Sequence, residues 1–136
     1  MIIEKRVKNR EVAGVNEDKQ AKSKVISIFQ PHRYSRLAGL FEDFTNCFVD
    51  SDMIFVTEVF AAGEAQIEGI NSKALVAALV KHGKDAYCVK SADAIPAIVM
   101  EHARSGDLIM MMGAGSISTW ANNLEKDIEK LLKSAH

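Results

Sequence analysis

The sequence is short of several features that define whole classes of protein. Its 136 residues include two cysteines, Cys47 and Cys88, which are too few for a disulfide framework. No stretch approaches the roughly 20 apolar residues of a membrane-spanning helix, and the N-terminal segment lacks the apolar core of a signal peptide. These shortages argue against a disulfide-rich secreted scaffold and an integral membrane protein. They favour a protein that works in the reducing cytoplasm without a membrane partner.

An excess of charge of either sign is missing as well. The 17 basic and 18 acidic residues give a formal net charge of -1, so the overall charge does not favour nucleic acid or an anionic surface as a partner. The charges are unevenly spread, because residues 1–24 hold seven basic and four acidic residues. We therefore expect a boundary near Lys24. A basic leader over 1–24, sparsely apolar and forming a frayed helix or a poorly ordered tail, would precede one domain over 25–136.

Two nucleotide-binding signatures are also lacking. The sequence has no phosphate-binding loop of the form G-x-x-x-x-G-K-[ST]. The run Gly113-Ala114-Gly115-Ser116 invites comparison with the dinucleotide fingerprint G-x-G-x-x-G, but Ser118 stands where the third glycine belongs. NAD binding is therefore rejected. Two interpretations of this turn remain: its N–H groups line an amino-acid pocket, or it is a turn without a binding role.

The sequence does contain a repeated alternation of short apolar runs with amphipathic stretches of 3.6-residue period. This alternation is typical of a parallel sheet with helices on its faces. It predicts one Rossmann-like α/β domain, in which helices flank a mostly parallel sheet of at least four strands. A chain of this length buries a normal core in such a fold. The four predicted strands cover residues 24–29, 52–57, 86–90 and 107–112.

A helix is predicted after each strand. The first carries an apolar stripe between residues 37 and 48, and the second has its N-cap at residue 71 or 72 and stops at Gly83. The third starts near residue 91 or 93, which leaves Pro96 in its first turn, and ends at Gly106. The fourth covers about 118–132.

Both cysteines fall within apolar patterns and are expected to be buried. The residues expected to face the core are Leu37, Leu40, Phe41, Phe44, Phe48, Leu75, Val76, Leu79, Val80, Ile95, Ile98 and Val99. The fourth helix presents one apolar stripe that is expected to be a docking surface, formed by Trp120, Leu124, Ile128, Leu131 and Leu132.

The loops that follow parallel strands gather at one edge of a sheet, and the first loop is the richest in chemistry. It contains the run Phe29-Gln30-Pro31-His32-Arg33-Tyr34-Ser35-Arg36, which places an imidazole, a phenol and two guanidiniums between a strand and a helix. Arg33 and Arg36 are three residues apart, so at the start of a helix they could clamp one carboxylate or phosphate. The alternative is a pair of solvated surface arginines. The other loops at this edge are 58–70, 91–93 and 113–117.

Three further side chains at this edge have both a functional and a structural interpretation. His32 could orient a nucleophilic amine or accept its proton, or it could form a structural hydrogen bond with the backbone. Tyr34 could offer a hydroxyl to a substrate, although an aromatic residue at a helix entry more often packs. Glu64 follows a glycine that lets the backbone approach a ligand. Its alternative role is that of a loop carboxylate that accepts hydrogen bonds from local N–H groups.

Three stretches of the sequence resemble the C-terminal domain of the Mur ligases, bacterial enzymes of peptidoglycan precursor synthesis, and they occur in the same order. The first is the run from Phe29 to Arg36, which is specific to the family. The second is Thr57-Glu58-Val59-Phe60-Ala61-Ala62-Gly63-Glu64 with Ile67-Glu68-Gly69-Ile70. The third, Gly106-Asp107-Leu108-Ile109-Met110-Met111-Met112-Gly113-Ala114-Gly115-Ser116-Ile117, is weak alone because glycine-rich turns are common. The resemblance covers about 25–131.

The resemblance implies a function for the edge of the sheet. Mur ligases use ATP to convert a carboxylate on a UDP-sugar into an acyl phosphate, which the amino group of the incoming amino acid attacks, while Mg²⁺ bridges the phosphates. The chain resembles the domain that receives the amino acid, here L-alanine, and Arg33 or Arg36 would hold the alanine carboxylate. The substrate-binding residues implied in this way are His32, Arg33, Tyr34, Arg36, Glu64, Gly113, Ala114, Gly115 and Ser116.

The resemblance also implies that most of such a ligase lies elsewhere. ATP and Mg²⁺ would be held mainly by a missing central domain, so no cofactor, metal ligand or catalytic residue is expected in this chain alone, and it is expected to be inactive by itself. Residues 1–24 do not match the aspartate- and histidine-rich segment that the family carries there. The chain could be an excised domain, a truncated or split-gene product that meets the missing domains as a separate chain, or a stand-alone remnant. The competing hypothesis is a non-catalytic Rossmann-like module that binds anions or a protein through the same edge.

Overall fold

A computed structural model describes residues 2–6, as backbone only, and residues 23–134 of the chain. These residues form five strands and five α-helices in an alternating order. The strands are β1 (Ile2–Arg6), β2 (Val25–Gln30), β3 (Met53–Thr57), β4 (Ala86–Val89) and β5 (Leu108–Gly113). The helices are α1 (Tyr34–Gly39), α2 (Phe41–Asn46), α3 (Ser72–Lys81), α4 (Ile95–His102) and α5 (Ile117–Ser134), with a 3₁₀ turn at Ala92–Ala94 before α4.

The strands form one sheet in the order β1-β5-β2-β3-β4. Strands β5, β2, β3 and β4 are mutually parallel, with Ile26 of β2 paired to Met53 of β3 on one side and to Ile109 of β5 on the other. This arrangement confirms the predicted α/β fold and all four predicted strands, with differences of one or two residues at their ends.

The fifth strand, β1, comes from the predicted leader. It pairs antiparallel with the outer edge of β5, so that Ile2 lies opposite Met112 and Arg6 opposite Leu108. The prediction of a frayed helix or a poorly ordered tail is therefore wrong for Ile2–Arg6. Pairing along an open sheet edge needs only backbone N–H and C=O groups, which an apolar pattern does not reveal. Residues 7–22, the rest of that leader, lie outside the described part of the chain, and the boundary near Lys24 stays a prediction.

The core consists of two apolar clusters, one on each face of the sheet. Helices α4 and α5 cover one face, and α1, α2 and α3 cover the other. Strand β2 supplies both, because Ile26 and Ile28 point into the first cluster and Phe29 into the second. Burial on both faces explains why the central strands are continuous apolar runs without polar alternation.

The first predicted helix is in fact two short helices. Helix α1 ends at Gly39, a residue with low helix propensity, and Leu40 between the helices has φ -117° and ψ 17°. Leu40 is 37% exposed, so the prediction that it faces the core is wrong. Leu37 of α1 and Phe48, which follows the end of α2, lie in the same cluster.

The second and third helices follow the predicted signals closely. The side chain of Asn71 accepts a hydrogen bond from the N–H of Ala74 at 2.7 Å, which makes it the N-cap of α3. Val80 on the same helix is 53% exposed, so its predicted inward position is wrong. Pro96 lies in the first turn of α4 as predicted, but α4 ends at His102, and Gly106 lies in the turn that leads to β5.

The exposed positions of the two cysteines correct a further prediction. Cys88 lies on β4, which is an edge strand, and Cys47 follows the last residue of α2; both thiols are free and exposed. The prediction that they are buried is therefore wrong. Leu131 and Leu132, near the end of α5, are also exposed, while Leu124 of the same helix is buried. The apolar pattern of α5 extends beyond the edge of the core that it covers.

Candidate functional site

The strand order creates a crevice beside the carboxyl end of β2. Strand β2 lies between β3 and β5, and the helices that follow β2 and β5 pack on opposite faces of the sheet. The loops after β2 and β5 therefore diverge from neighbouring strand ends. In open α/β sheets this divergence is where ligands bind. The first and third stretches that carry the family resemblance meet at this point.

The loop after β2 is held by the loop after β3. The N–H of Arg33 donates to the carbonyl of Phe60 at 2.8 Å, and the N–H of Phe60 donates to the carbonyl of Pro31 at 2.8 Å. These bonds form an isolated parallel bridge between His32 and Phe60, beyond the ends of the two strands. The His32 segment is therefore fixed by backbone pairing in the way a strand is, although it lies in a loop.

Arg33 has an unusual backbone conformation and a solvent-exposed side chain. Its φ of 64° with ψ of 137° places an L-residue where glycine is favoured, and it is the residue that precedes the first turn of α1. Arg33 and Arg36 are both exposed. Within the described residues, neither guanidinium has a carboxylate within salt-bridge distance. Both positive charges are therefore accessible to a ligand.

Glu64 reaches back from the loop after β3 to the start of α1. Its Oε1 accepts a hydrogen bond from the N–H of Ser35 at 3.2 Å, and its Oε2 accepts one from the hydroxyl of Ser35 at 2.6 Å. These two bonds, with a smaller contribution from the charge of Arg33, hold the pKa of the Glu64 carboxyl below its usual value. The structure thus shows Glu64 in the second of its two predicted roles, as a carboxylate that binds local N–H groups.

Tyr34 and His32 occupy different environments although they are two residues apart. Tyr34, in the first turn of α1, is only 8% exposed and packs as a buried aromatic residue. His32 is half-buried, and its imidazole lies parallel to the Phe60 ring, with 5.5 Å between the ring centroids and 10° between the planes. The imidazole therefore borders the crevice, whereas most of the tyrosine side chain is enclosed by protein.

The turn from Gly113 to Ser116 is tightly fitted to its neighbours. A β-carbon at Gly113, where φ is 143°, would lie 2.5 Å from the carbonyl oxygen of Gln30, so no larger residue fits without a shift. The side chain of Gln30 accepts a hydrogen bond from the buried N–H of Ile117 at 2.9 Å. Gln30 therefore provides an acceptor for the first turn of α5, and it ties the loops after β2 and β5 together. Ala114 and Gly115 are exposed and Ser116 is half-buried.

Phe60 is the residue of this site that the sequence analysis did not single out. Its ring contacts both His32 and Gly115, and it is 36% exposed. An aromatic residue in a loop gives no periodic signal, because loops have no regular period. The one available signal is its place inside the stretch Thr57 to Glu64, which carries part of the resemblance.

A groove lies away from these residues. It has a volume of about 450 Å³ and runs between the start of α4 and α5, and its lining includes Asp93, Trp120 and Lys130. None of the predicted site residues lines it.

No helix among residues 23–134 is long and apolar enough to cross a membrane.

Comparison with curated proteins finds relatives that include UDP-N-acetylmuramate–L-alanine ligases. The chain is 48% identical over 109 residues to that of Rickettsia prowazekii, covering 79% of this chain and 22% of the relative. It is 50% identical over 111 residues to that of Rhizobium johnstonii, covering 81% and 24%. For Rhodospirillum rubrum the identity is 49% over 106 residues, covering 77% and 22%. The chain spans less than a quarter of the length of these relatives.

Solved structures provide an independent match of the fold. The UDP-N-acetylmuramate-alanine ligase MurC from Thermotoga maritima matches with a TM-score of 0.58 and 22% sequence identity, covering 80% of this chain and 21% of that chain. This match supports the α/β architecture. No protein-family model matches the chain.

Proposed function

The chain is homologous to the C-terminal region of the UDP-N-acetylmuramate–L-alanine ligases, and from this premise we propose that it is the L-alanine-receiving domain of such a ligase. The observation that carries the proposal is the pair of exposed guanidiniums of Arg33 and Arg36 in the loop after β2, without a carboxylate partner among residues 23–134. Alanine carries a carboxylate, and arginine is the side chain best suited to bind a carboxylate through two parallel hydrogen bonds.

The proposed role is to position the amino acid for an attack on an activated carbonyl. Arg33 or Arg36 binds the alanine carboxylate, so that the amino group points toward the acyl phosphate that the other domains form from the UDP-sugar carboxylate. The amine attacks the carbonyl carbon, a C–N bond forms, phosphate leaves, and His32 accepts the proton that the amine loses. Orientation of this kind contributes up to about 7 to 11 kcal/mol in favourable systems.

ATP and Mg²⁺ are assigned to other domains of the ligase. Residues 23–134 contain no group of three or more His, Cys, Asp or Glu side chains that could hold a metal ion, and the sequence lacks a phosphate-binding loop. The free and exposed thiols of Cys47 and Cys88 support a reducing compartment, and we place the reaction in the cytoplasm.

Titration of the chain with L-alanine, followed by NMR, tests the binding role. We expect the amide resonances of residues 31–36 and 113–117 to move. Arg33→Ala and Arg36→Ala each remove a donor to a charged group worth about 1.5 to 3 kcal/mol, so the variant of the arginine that holds the carboxylate should bind about 10- to 100-fold more weakly. Lys126→Ala, which removes an exposed charge on α5, should bind as the unchanged chain does. If alanine moves no resonance in these loops, the proposal is wrong and the non-catalytic module gains support.

Reconstitution tests the ligase itself. The chain is mixed with a polypeptide that carries the remaining domains of a curated relative, and L-alanine-dependent phosphate release is measured in the presence of ATP, Mg²⁺ and UDP-N-acetylmuramate. Turnover that requires both polypeptides, and that the weaker-binding arginine variant abolishes, is the expected result. Alanine binding without turnover would instead favour a binding module that has lost the reaction.

A further inference from the structure

We propose that the ring of Phe60 is the positioning element of this site: it contacts the loops after β2 and β5 and fixes the orientation of His32. The effect on alanine binding rests on the function proposed above. The effect on His32 does not, because it concerns contacts within the chain alone.

The ring of Phe60 contacts both loops. Its face lies parallel to the His32 imidazole at a centroid distance of 5.5 Å. Toward the other loop, a β-carbon built at Gly115 would lie 2.9 Å from Cγ of Phe60 and 3.1 Å from both of its Cδ atoms. The phenyl ring therefore occupies the space that a side chain at position 115 would need.

The backbone and the ring of Phe60 hold different parts of the loop. The two backbone hydrogen bonds, to Pro31 and from Arg33, would persist with any residue at position 60. They fix the main chain where Arg33 adopts its positive φ. They do not restrict rotation of the His32 side chain, which the stacked ring does restrict. A substitution of the ring alone therefore separates side-chain positioning from the fold of the loop.

The exposure of Phe60 indicates a role other than core packing. The residue is 36% exposed and belongs to neither buried apolar cluster. Its truncation therefore removes less buried area than truncation of a core phenylalanine, and the variant is expected to fold. A partly exposed aromatic ring between a histidine and a glycine turn is better explained by the geometry that it imposes on its neighbours.

The first test is the NMR signal of the His32 ring protons in the full chain. A phenyl face next to the imidazole shifts these protons upfield, so Phe60→Leu should lose the shift and Phe60→Tyr, which keeps an aromatic face, should retain it. Tyr87→Leu is the matched control, because Tyr87 is also exposed and stacked on a neighbouring ring, at the β4 edge. An unchanged His32 signal in Phe60→Leu overturns the proposal, as does an equal change in Tyr87→Leu.

The second test is the use of L-alanine by the same variants in the reconstituted ligase. Displacement of catalytic groups by about 1 Å can reduce a rate about 100-fold, so Phe60→Leu should lower kcat/KM for alanine about 10- to 100-fold while the KM for ATP stays unchanged, and Phe60→Tyr should restore it. An equal kcat/KM for alanine in Phe60→Leu and the unchanged chain overturns the positioning role. If the unchanged chain binds no alanine, the proposed function fails, and the His32 signal still decides the positioning role.

Discussion

At the scale of single residues, the site depends on positions whose backbone conformation is costly. Arg33 holds a positive φ that an arginine adopts only at a cost of roughly 1–3 kcal/mol, and the surrounding backbone bonds to Phe60 keep it there. Strain of this kind persists where several contacts with neighbouring structure hold a residue in place, and it is common at ligand sites. Gly113 is the complementary case, since its place against the carbonyl of Gln30 admits no β-carbon. The same loop pair thus contains one position that requires glycine and another that tolerates arginine.

Replacement of Arg33 by glycine should separate stability from binding. The change relieves a strain of roughly 1–3 kcal/mol and adds about 0.4–1 kcal/mol of unfolded-chain entropy, so we expect a net gain of about 1 kcal/mol in the free energy of unfolding. Urea denaturation measures this gain. A titration of the same variant with L-alanine shows whether its affinity for that amino acid is lost. Arg36→Gly, within α1, is the control and should lower stability by about 1 kcal/mol. Equal destabilisation by the two glycines would show that the Arg33 backbone is not strained.

At the scale of secondary-structure elements, two helices at the site are completed by side chains distant in sequence. Helix α1 has no side-chain cap from its own N-cap residue, and Glu64 accepts hydrogen bonds from the N–H and hydroxyl of Ser35 instead. Helix α5 receives its acceptor from Gln30, 87 residues before Ile117. An unpaired N–H at a helix start loses stability if it is buried, so these long-range acceptors stabilise both helices and hold the loops in register.

The cap on α1 makes part of the stability depend on pH. Because hydrogen bonds lower the pKa of Glu64 in the folded chain, its contribution is complete at pH values well above its ordinary pKa of 4.5. The contribution is lost as the pH falls through 4.5 toward the lower pKa of the folded state. We expect Glu64→Gln to be less stable than the unchanged chain at neutral pH and equal to it in acid, as measured by urea denaturation across this range.

Glu68→Gln provides the comparison for that titration, because Glu68 is an exposed carboxylate in the same loop. Its stability should follow the unchanged chain at every pH. A stability difference between Glu64→Gln and the unchanged chain that stays constant from neutral to acid pH would show that ionisation of Glu64 does not stabilise α1.

At the scale of the whole molecule, one sheet shared by two apolar clusters joins all the helices into a single unit. Leu75 of α3 and Ile28 of β2 are both fully buried, yet they belong to clusters on opposite faces. Trp120, the only tryptophan, packs against the cluster formed with α4 and α5. A change on one face is therefore transmitted to the other through the strands that contribute to both.

Leu75→Ala tests this coupling. The substitution leaves a cavity in the α3 face, and it should lower the free energy of unfolding by about 2–5 kcal/mol. Tryptophan fluorescence reports the opposite face, and far-UV circular dichroism reports the whole chain; both should show the same lowered midpoint. Val80→Ala, an exposed position on the same helix, should change stability by less than about 0.5 kcal/mol. Two separate transitions would mean that the faces unfold independently.

Much of this fold follows from the sequence, because its strongest signals are local. The apolar runs at 24–29 and 107–112 predict strands buried on both faces, and Asn71 and Gly83 mark the two ends of α3 as the structure has them. The break at Leu40 was not predicted, since the apolar spacing continues through it. The edge strand β1 was not predicted either, because backbone pairing leaves no side-chain pattern.

By itself, the amino-acid sequence determined the alternation of strands and helices, the two-faced core and the placing of Arg33 and Arg36 in the loop after β2, since each depends on residues close together in the chain. Only the tertiary structure decided that Glu64 binds the start of α1 and that Phe60 lies between His32 and Gly115. Those contacts depend on which strands are neighbours and on the path of each loop. The physical reason is that hydrophobic periodicity specifies which face of an element is buried, whereas contacts between distant loops arise only once the strand order has brought the loop ends together.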